Sequence, residues 1–167
     1  MKKILSLTMA LAMLGTALTG CGSKDAAAQT PAENTQQTAP VQQEQSQTEK
    51  ALALINTFAT GDTDAARSLL ADGYIQHNLA YGTGADAFIG SVEYLASADV
   101  KTTVNNIRAF KDGDKVFLQT IYNFAGAGEQ VAFDIFRFDE DGKIAELWDV
   151  METIADQATW QNQNGKF

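Results

Sequence analysis

Two aspartates carry most of the chemistry this sequence offers. Asp134 and Asp149 stand in two apolar-rich stretches, Val131–Phe138 and Ile144–Met151, on either side of the turn signal Asp141-Gly142. Folding the stretches about that turn sets Glu140 opposite Lys143, Arg137 opposite Glu146 as a favourable charge pair, and Asp134 opposite Asp149. Any even slip of register keeps both carboxylates on one face, because side chains alternate along a strand. That face reads Ala132, Asp134, Phe136, Phe138 and Ala145, Leu147, Asp149, Met151, so it is apolar apart from the two acids. Anions on such a face are costly. When two lie close, one pKa rises and the pair shares a proton, which is how a general acid and a general base coexist near neutral pH. The plainer alternative is an Asp that binds a backbone N–H at a sheet edge or caps a helix.

The remaining candidates are sparse. His77 is the only histidine and Cys21 the only cysteine. His77 suits either a proton shuttle near neutral pH or a hydrogen-bonded structural position at a strand end. One His and one Cys leave no disulfide, no multi-ligand zinc site and no two-His facial triad, so neither a metal nor a cofactor is expected. Gly82-x-Gly84-x-x-Ala87 precedes a helix without the βαβ context of a dinucleotide fingerprint. No nucleophile elbow or phosphate-binding loop occurs. Asp139-Glu140-Asp141 reads as a solvated turn, and Trp148 and Trp160 as packing residues.

The elements that must position these groups follow from periodicity. Leu52, Ile55 and Phe58 predict a helix from about Glu49 to Thr60, ended by Gly61. Asp62 caps a second helix through Ala71, Asp72-Gly73 makes a turn, and Tyr74–Asn78 is a short extended piece. Phe88, Val92 and Leu95 share one face of a third helix over 85–97. From residue 100 the period is two, with a hairpin turn at Asp112-Gly113 and a return strand Val116–Phe124. The expectation is an α+β domain over 49–160, three helices followed by a four-strand antiparallel meander, with a patternless tail over 161–167.

The opposite face of the last hairpin, with Val131, Phe133, Ile135, Ile144, Trp148 and Val150, is also apolar, and a homodimer partner is its simplest cover. A formal charge of −9 disfavours nucleic acid as a partner. The N-terminus reads as an address. Lys2 and Lys3 precede an apolar run over 4–18, the pattern of a signal peptide over 1–20, which ends in Leu18-Thr19-Gly20-Cys21. That tetrapeptide resembles the bacterial lipobox, which implies acylation of Cys21 and attachment to the lipid bilayer in a bacterial cell envelope. Residues 22–48, rich in Gln, Ala and Thr and holding both prolines, cannot bury enough apolar area to order and read as a tether spanning roughly 30 Å r.m.s..

Tyr74-Ile75-Gln76-His77-Asn78, Asp134-Ile135-Phe136-Arg137-Phe138 and Gly142-Lys143-Ile144…Glu146-Leu147-Trp148-Asp149-Val150 together resemble the SnoaL-like branch of the NTF2-like superfamily over about residues 50–160. The resemblance implies a cone of helices wrapped by a curved antiparallel sheet, with a pocket for a small, partly apolar molecule. It implies an acid–base Asp149, Asp134 as the polar position of the preceding strand, and His77 and Asn78 near the pocket mouth. Tyr122, Phe136, Leu147 and Met151 join Asn78 as candidate ligand-binding residues. Many relatives have His where this chain has Leu147, a departure that favours a binding module over a cofactor-independent cyclase, isomerase or hydratase. An interaction domain using Phe133, Ile135 and Trp148 is the third reading.

Overall fold

The structure, a computed structural model, describes residues 45–167. The expected signal peptide, Cys21 and nearly all of the expected 22–48 tether lie outside the described residues. The first helix, α1 (Gln47–Thr60), starts ahead of the expected Glu49 because Ser46 and Glu49 form a capping box: the Ser46 side chain accepts from the Glu49 N–H, and the Glu49 carboxylate accepts from the Ser46 N–H at 2.7 Å. Gly61 closes it with a left-handed backbone, φ 74°. Asp62 then caps α2 (Thr63–Leu69) through the Ala65 N–H.

Here the chain departs from expectation. The helix stops at Leu69 rather than Ala71, and Leu70 enters a strand, β1 (Leu70–Gln76). Asp72-Gly73 is no turn; it lies where the β1 register shifts between Leu70 and Ile75, so turn chemistry serves a bulge. After α3 (Ala85–Ser97) come β2 (Thr103–Asp112), β3 (Lys115–Asn123), β4 (Glu129–Phe138) and β5 (Ile144–Thr153). The sheet order is β1-β5-β4-β3-β2, with β1 parallel to β5 and the other pairs antiparallel. The sheet is therefore mixed and five-stranded instead of a four-strand meander. The crossover from β1 to β5 runs through α3 and the three intervening strands, which is how a parallel pair forms without a helix directly before β5.

Two of the three hairpins differ by one residue from their sequence signals, the first in the position of its loop and the last in its length. Asp112 pairs with Lys115, so Gly113-Asp114 is the first loop, with Gly113 at φ 57°. In the last hairpin Asp139 faces Lys143: its N–H donates to the Lys143 carbonyl and its carboxylate accepts from the Lys143 N–H. The loop is the three residues Glu140-Asp141-Gly142, with Gly142 at φ 69°, so Glu140 does not face Lys143. Ala145 is then an extra residue between the pairs Phe138↔Ile144 and Arg137↔Glu146. This bulge carries Ile144 to the inner face, fully buried, against its expected outward placement, and restores the expected register beyond it.

The helices cover one face of the sheet. Leu54, Ile55, Ala66, Phe88 and Val92 pack against Val116, Leu118, Phe136, Phe138 and Ile144. That end of the sheet is filled. Toward Asn123, Glu129 and Thr153 the same inner face is not, and a cavity opens.

Candidate functional site

Alternation along three strands delivers the floor of this cavity. Tyr122 on β3, Gln130 and Asp134 on β4, and Leu147, Asp149 and Met151 on β5 line it. Helix α1 adds Ile55 and Phe58, α3 adds Phe88, Ser91, Tyr94 and Leu95, and the flanking loops add Tyr81 and Phe124. The cavity holds ≈ 650 Å³, within the range of small-molecule sites.

Asp134 and Asp149 are direct cross-strand partners, in the register that the Arg137–Glu146 pair predicts. Each carboxyl has one side-chain donor. Tyr122 Oη donates to Asp134 Oδ2 at 2.9 Å, and Asn78 Nδ2 donates to Asp149 Oδ1 at 2.6 Å. Asn78 is oriented by its own backbone surroundings, since its Oδ1 accepts from the Ala80 N–H and so turns its NH₂ toward Asp149. Gln76 is set in the same way: its Oε1 accepts from the Asn78 N–H, and its Nε2 donates to Tyr74 Oη at 3.2 Å.

Burial governs the electrostatics. It pushes the Asp134 carboxyl up to about 7; the Tyr122 hydrogen bond opposes the rise and the Asp149 charge adds to it. Burial also raises Asp149, against the Asn78 hydrogen bond. Asp149 is the more open of the two, and its charge disfavours ionisation of Asp134. Tyr122 and Tyr74 are both raised, chiefly by burial and then by the neighbouring carboxylates, so each stays a neutral phenol. Tyr81 is raised by burial and by Asp149. Around neutral pH the Asp134 carboxyl thus passes between its protonated and ionised forms beside a second, more open carboxyl.

The chain from α1 to β5 fixes the family. Residues 51–147, more than half of the chain, match the model of the SnoaL-like domain. The chain belongs to the SnoaL-like family. Among curated proteins no significant match is found. Solved structures give the fold. An NTF2-like protein of unknown function from Cytophaga hutchinsonii is 17% identical with a TM-score of 0.57, over 67% of this chain and 95% of its own. An epoxide hydrolase of M. tuberculosis is 17% identical with a TM-score of 0.55, over 64% of this chain and 82% of its own. IdmH from Streptomyces antibioticus, a candidate polyketide cyclase, is 17% identical with a TM-score of 0.52, over 65% and 93%. Three helices on a five-strand mixed sheet make this SnoaL-like domain an NTF2-like α+β cone.

The other sequence candidates separate cleanly. Tyr122, Leu147 and Met151 line the cavity of the SnoaL-like domain, Asn78 holds Asp149 from the β1 side, and Phe136 is closed into the core with no exposed surface. His77 is not with them. Its ring stacks on Trp148 at 4.4 Å, and its Nε2 lies 2.9 Å from Glu146 Oε2, both on the outer face of the sheet. Period-two alternation is the reason: Asn78 reaches the inner face and its neighbour the outer one. His77 and Arg137 hold the Glu146 carboxyl below its ordinary value. Tyr81, Tyr94, Phe58, Phe88, Phe124 and Gln130 are cavity residues that the sequence did not single out.

Part of the outer face is covered by the chain's own tail. Gln119 Nε2 donates to the Lys166 carbonyl at 2.9 Å, and Lys166 Nζ donates to Glu152 at 2.6 Å, so the tail crosses β3 and β5. Phe110, Phe133 and Val150 stay exposed, Val150 at 73%.

Proposed function

We propose that this domain binds a small, largely apolar molecule whose polar head lies against Asp134 and Asp149. One observation carries the reading: two carboxyls face each other at the floor of an ≈ 650 Å³ cavity whose other walls are mostly aromatic and aliphatic. Buried acids without a basic partner cost stability, and a ligand site is what offsets that cost in function. Calorimetric titration of apolar compounds bearing one polar group tests it. Binding is expected, and Ser91→Trp, which fills the cavity from α3, abolishes it. Binding that survives Ser91→Trp contradicts the proposal.

Proton transfer is the second reading, favoured by a carboxyl held at about 7 opposite a second, more open carboxyl. In it the Asp149 carboxylate takes a proton from carbon beside a carbonyl while the neutral Asp134 gives its proton to the carbonyl oxygen, and Tyr122 steadies the Asp134 anion that results. The net result is an enol formed without a cofactor. Its test is deuterium uptake beside the carbonyl of a bound ketone in D₂O, lost in Asp149→Asn. Leu147, where the family resemblance leads to an expectation of His, and an outward-facing His77 leave the cavity lining without an imidazole, which supports the binding reading.

Two finer elements complete the proposal. Leu18-Thr19-Gly20-Cys21 supports acylation of Cys21 and anchoring in a bacterial envelope. The exposed Phe110, Phe133 and Val150 support a homodimer through the outer face.

A further inference from the structure

The charges around the cavity are all of one sign. Among the described residues that line it there is no Lys, Arg or His, and the two ionisable acids are Asp134 and Asp149. The nearby basic groups His77 and Arg137 are spent on Glu146 at the outer face. The walls are aromatic: Phe58, Phe88, Tyr122 and Phe124 from inside, Tyr81 and Tyr94 at the half-open rim. Phe58 meets Phe124 edge-on at 5.8 Å, and Tyr122 and Phe124 stack at 4.8 Å. Tyr122 donates its hydroxyl proton toward a carboxyl, which makes its ring richer in electrons and a better partner for a cation.

A neutral guest entering this site takes water from the Asp149 carboxylate and returns no charge. A cationic guest offsets the same loss by direct attraction and gains the ring faces. From this geometry we infer that the cavity selects an organic cation, an amine or quaternary ammonium on an apolar body, over a neutral molecule of the same shape. The inference rests on the ligand-binding reading above and names the chemical class of its occupant.

Binding a fixed cation favours the ionised pair, so affinity rises with pH as Asp134 loses its proton. The groups facing the pair are Tyr122 from β3, Tyr74 and Asn78 from β1 and its following loop, and Tyr81 from that loop; α1 and α3 bring Phe58, Phe88 and Tyr94. None is a competing cation.

The test compares benzyltrimethylammonium with neopentylbenzene, its neutral isostere, by calorimetry on the full chain at pH 8 and pH 5. The cation is expected to bind about tenfold tighter at pH 8, with the preference shrinking at pH 5. Asp149→Asn is expected to remove the preference from both sides, weakening the cation and tightening the neutral compound, which no longer strips water from a carboxylate. Tyr94→Leu, an exposed position that keeps apolar bulk and loses the ring, is expected to weaken the cation alone by about threefold. If neopentylbenzene binds as tightly as the cation, the inference is overturned and the pocket reading stands. A cation preference that persists in both Asp149→Asn and Ser91→Trp places the cation on the acidic surface and also overturns it. Failure of both compounds, together with the wider apolar series, overturns the inference and the pocket reading alike.

Discussion

His77 and Asn78, adjacent in the chain, serve opposite faces of the sheet: His77 Nε2 lies 2.9 Å from Glu146 Oε2 on the outer face, and Asn78 Nδ2 lies 2.6 Å from Asp149 Oδ1 on the inner one. The single imidazole is thereby kept out of the cavity, and the ionisable acids at its floor are the two aspartates. His77→Gln is expected to leave ligand affinity in the cavity unchanged and to cost about 1 kcal/mol of stability or less, since the pair it breaks is partly exposed. The Glu146 carboxyl, held low by His77 and Arg137, contributes stability that is present above its ordinary pKa and lost as pH falls through the lowered one. Calorimetric titration checks the affinity, and denaturant titration of the variant beside the wild type across pH checks the stability.

Asp134 sets the opposite slope. Its folded pKa of about 7 exceeds its ordinary value of 3.8, so the folded state holds a proton that the unfolded chain has lost. Its contribution is fully present below pH 3.8 and disappears as pH rises through about 7, a span on the order of 4 kcal/mol. Asp134→Asn keeps the shape and cannot ionise. The variant is expected to lose this decline and to be relatively more stable than the wild type at pH 8. Urea denaturation at pH 5 and pH 8 measures the difference.

Tyr122→Phe removes the one side-chain donor to Asp134. A buried acceptor loses its partner, at a cost of about 1–3 kcal/mol at pH 8. The same change is expected to raise the Asp134 pKa further, because the Tyr122 hydrogen bond opposes the effect of burial. Thermal denaturation at pH 8 and a carboxyl titration of the variant report the two effects separately.

Pairing of two copies through the outer face gives a fourth expectation. Phe133→Asp, at a site 54% exposed, is expected to turn a dimer into a monomer in sedimentation equilibrium without altering cavity binding. A wild type already monomeric at high concentration excludes that pairing.

Much of the floor was legible in the sequence. Folding about Asp141-Gly142 places Arg137 opposite Glu146 and Asp134 opposite Asp149, and both pairings hold although the loop is one residue longer, because the Ala145 bulge offsets the shift. The turn itself misled, because Asp139, not Asp141, ties the loop through its side chain while Gly142 supplies the left-handed residue. Strand β1 was hidden by Asp72-Gly73, whose turn-like composition serves a bulge in a parallel edge strand. Ser46-x-x-Glu49 was a readable helix start that the apolar pattern alone overlooks. The cavity walls were not readable: Phe58 and Phe88 have the spacing of core-facing helix residues, and Tyr94 lies off that face at an exposed position, so only the unfilled end of the sheet makes them line a space. Phe136 is the converse, an inner-face residue whose end of the sheet is packed shut.

The most direct test of the proton-sharing floor is a carboxyl-carbon NMR titration of the protein, with Asp134→Asn and Asp149→Asn used to assign the signals. Asp134 is expected to titrate near 7 and Asp149 above its ordinary 3.8, and removal of the Asp149 charge is expected to lower Asp134. Two aspartates titrating independently near the ordinary value contradict this expectation.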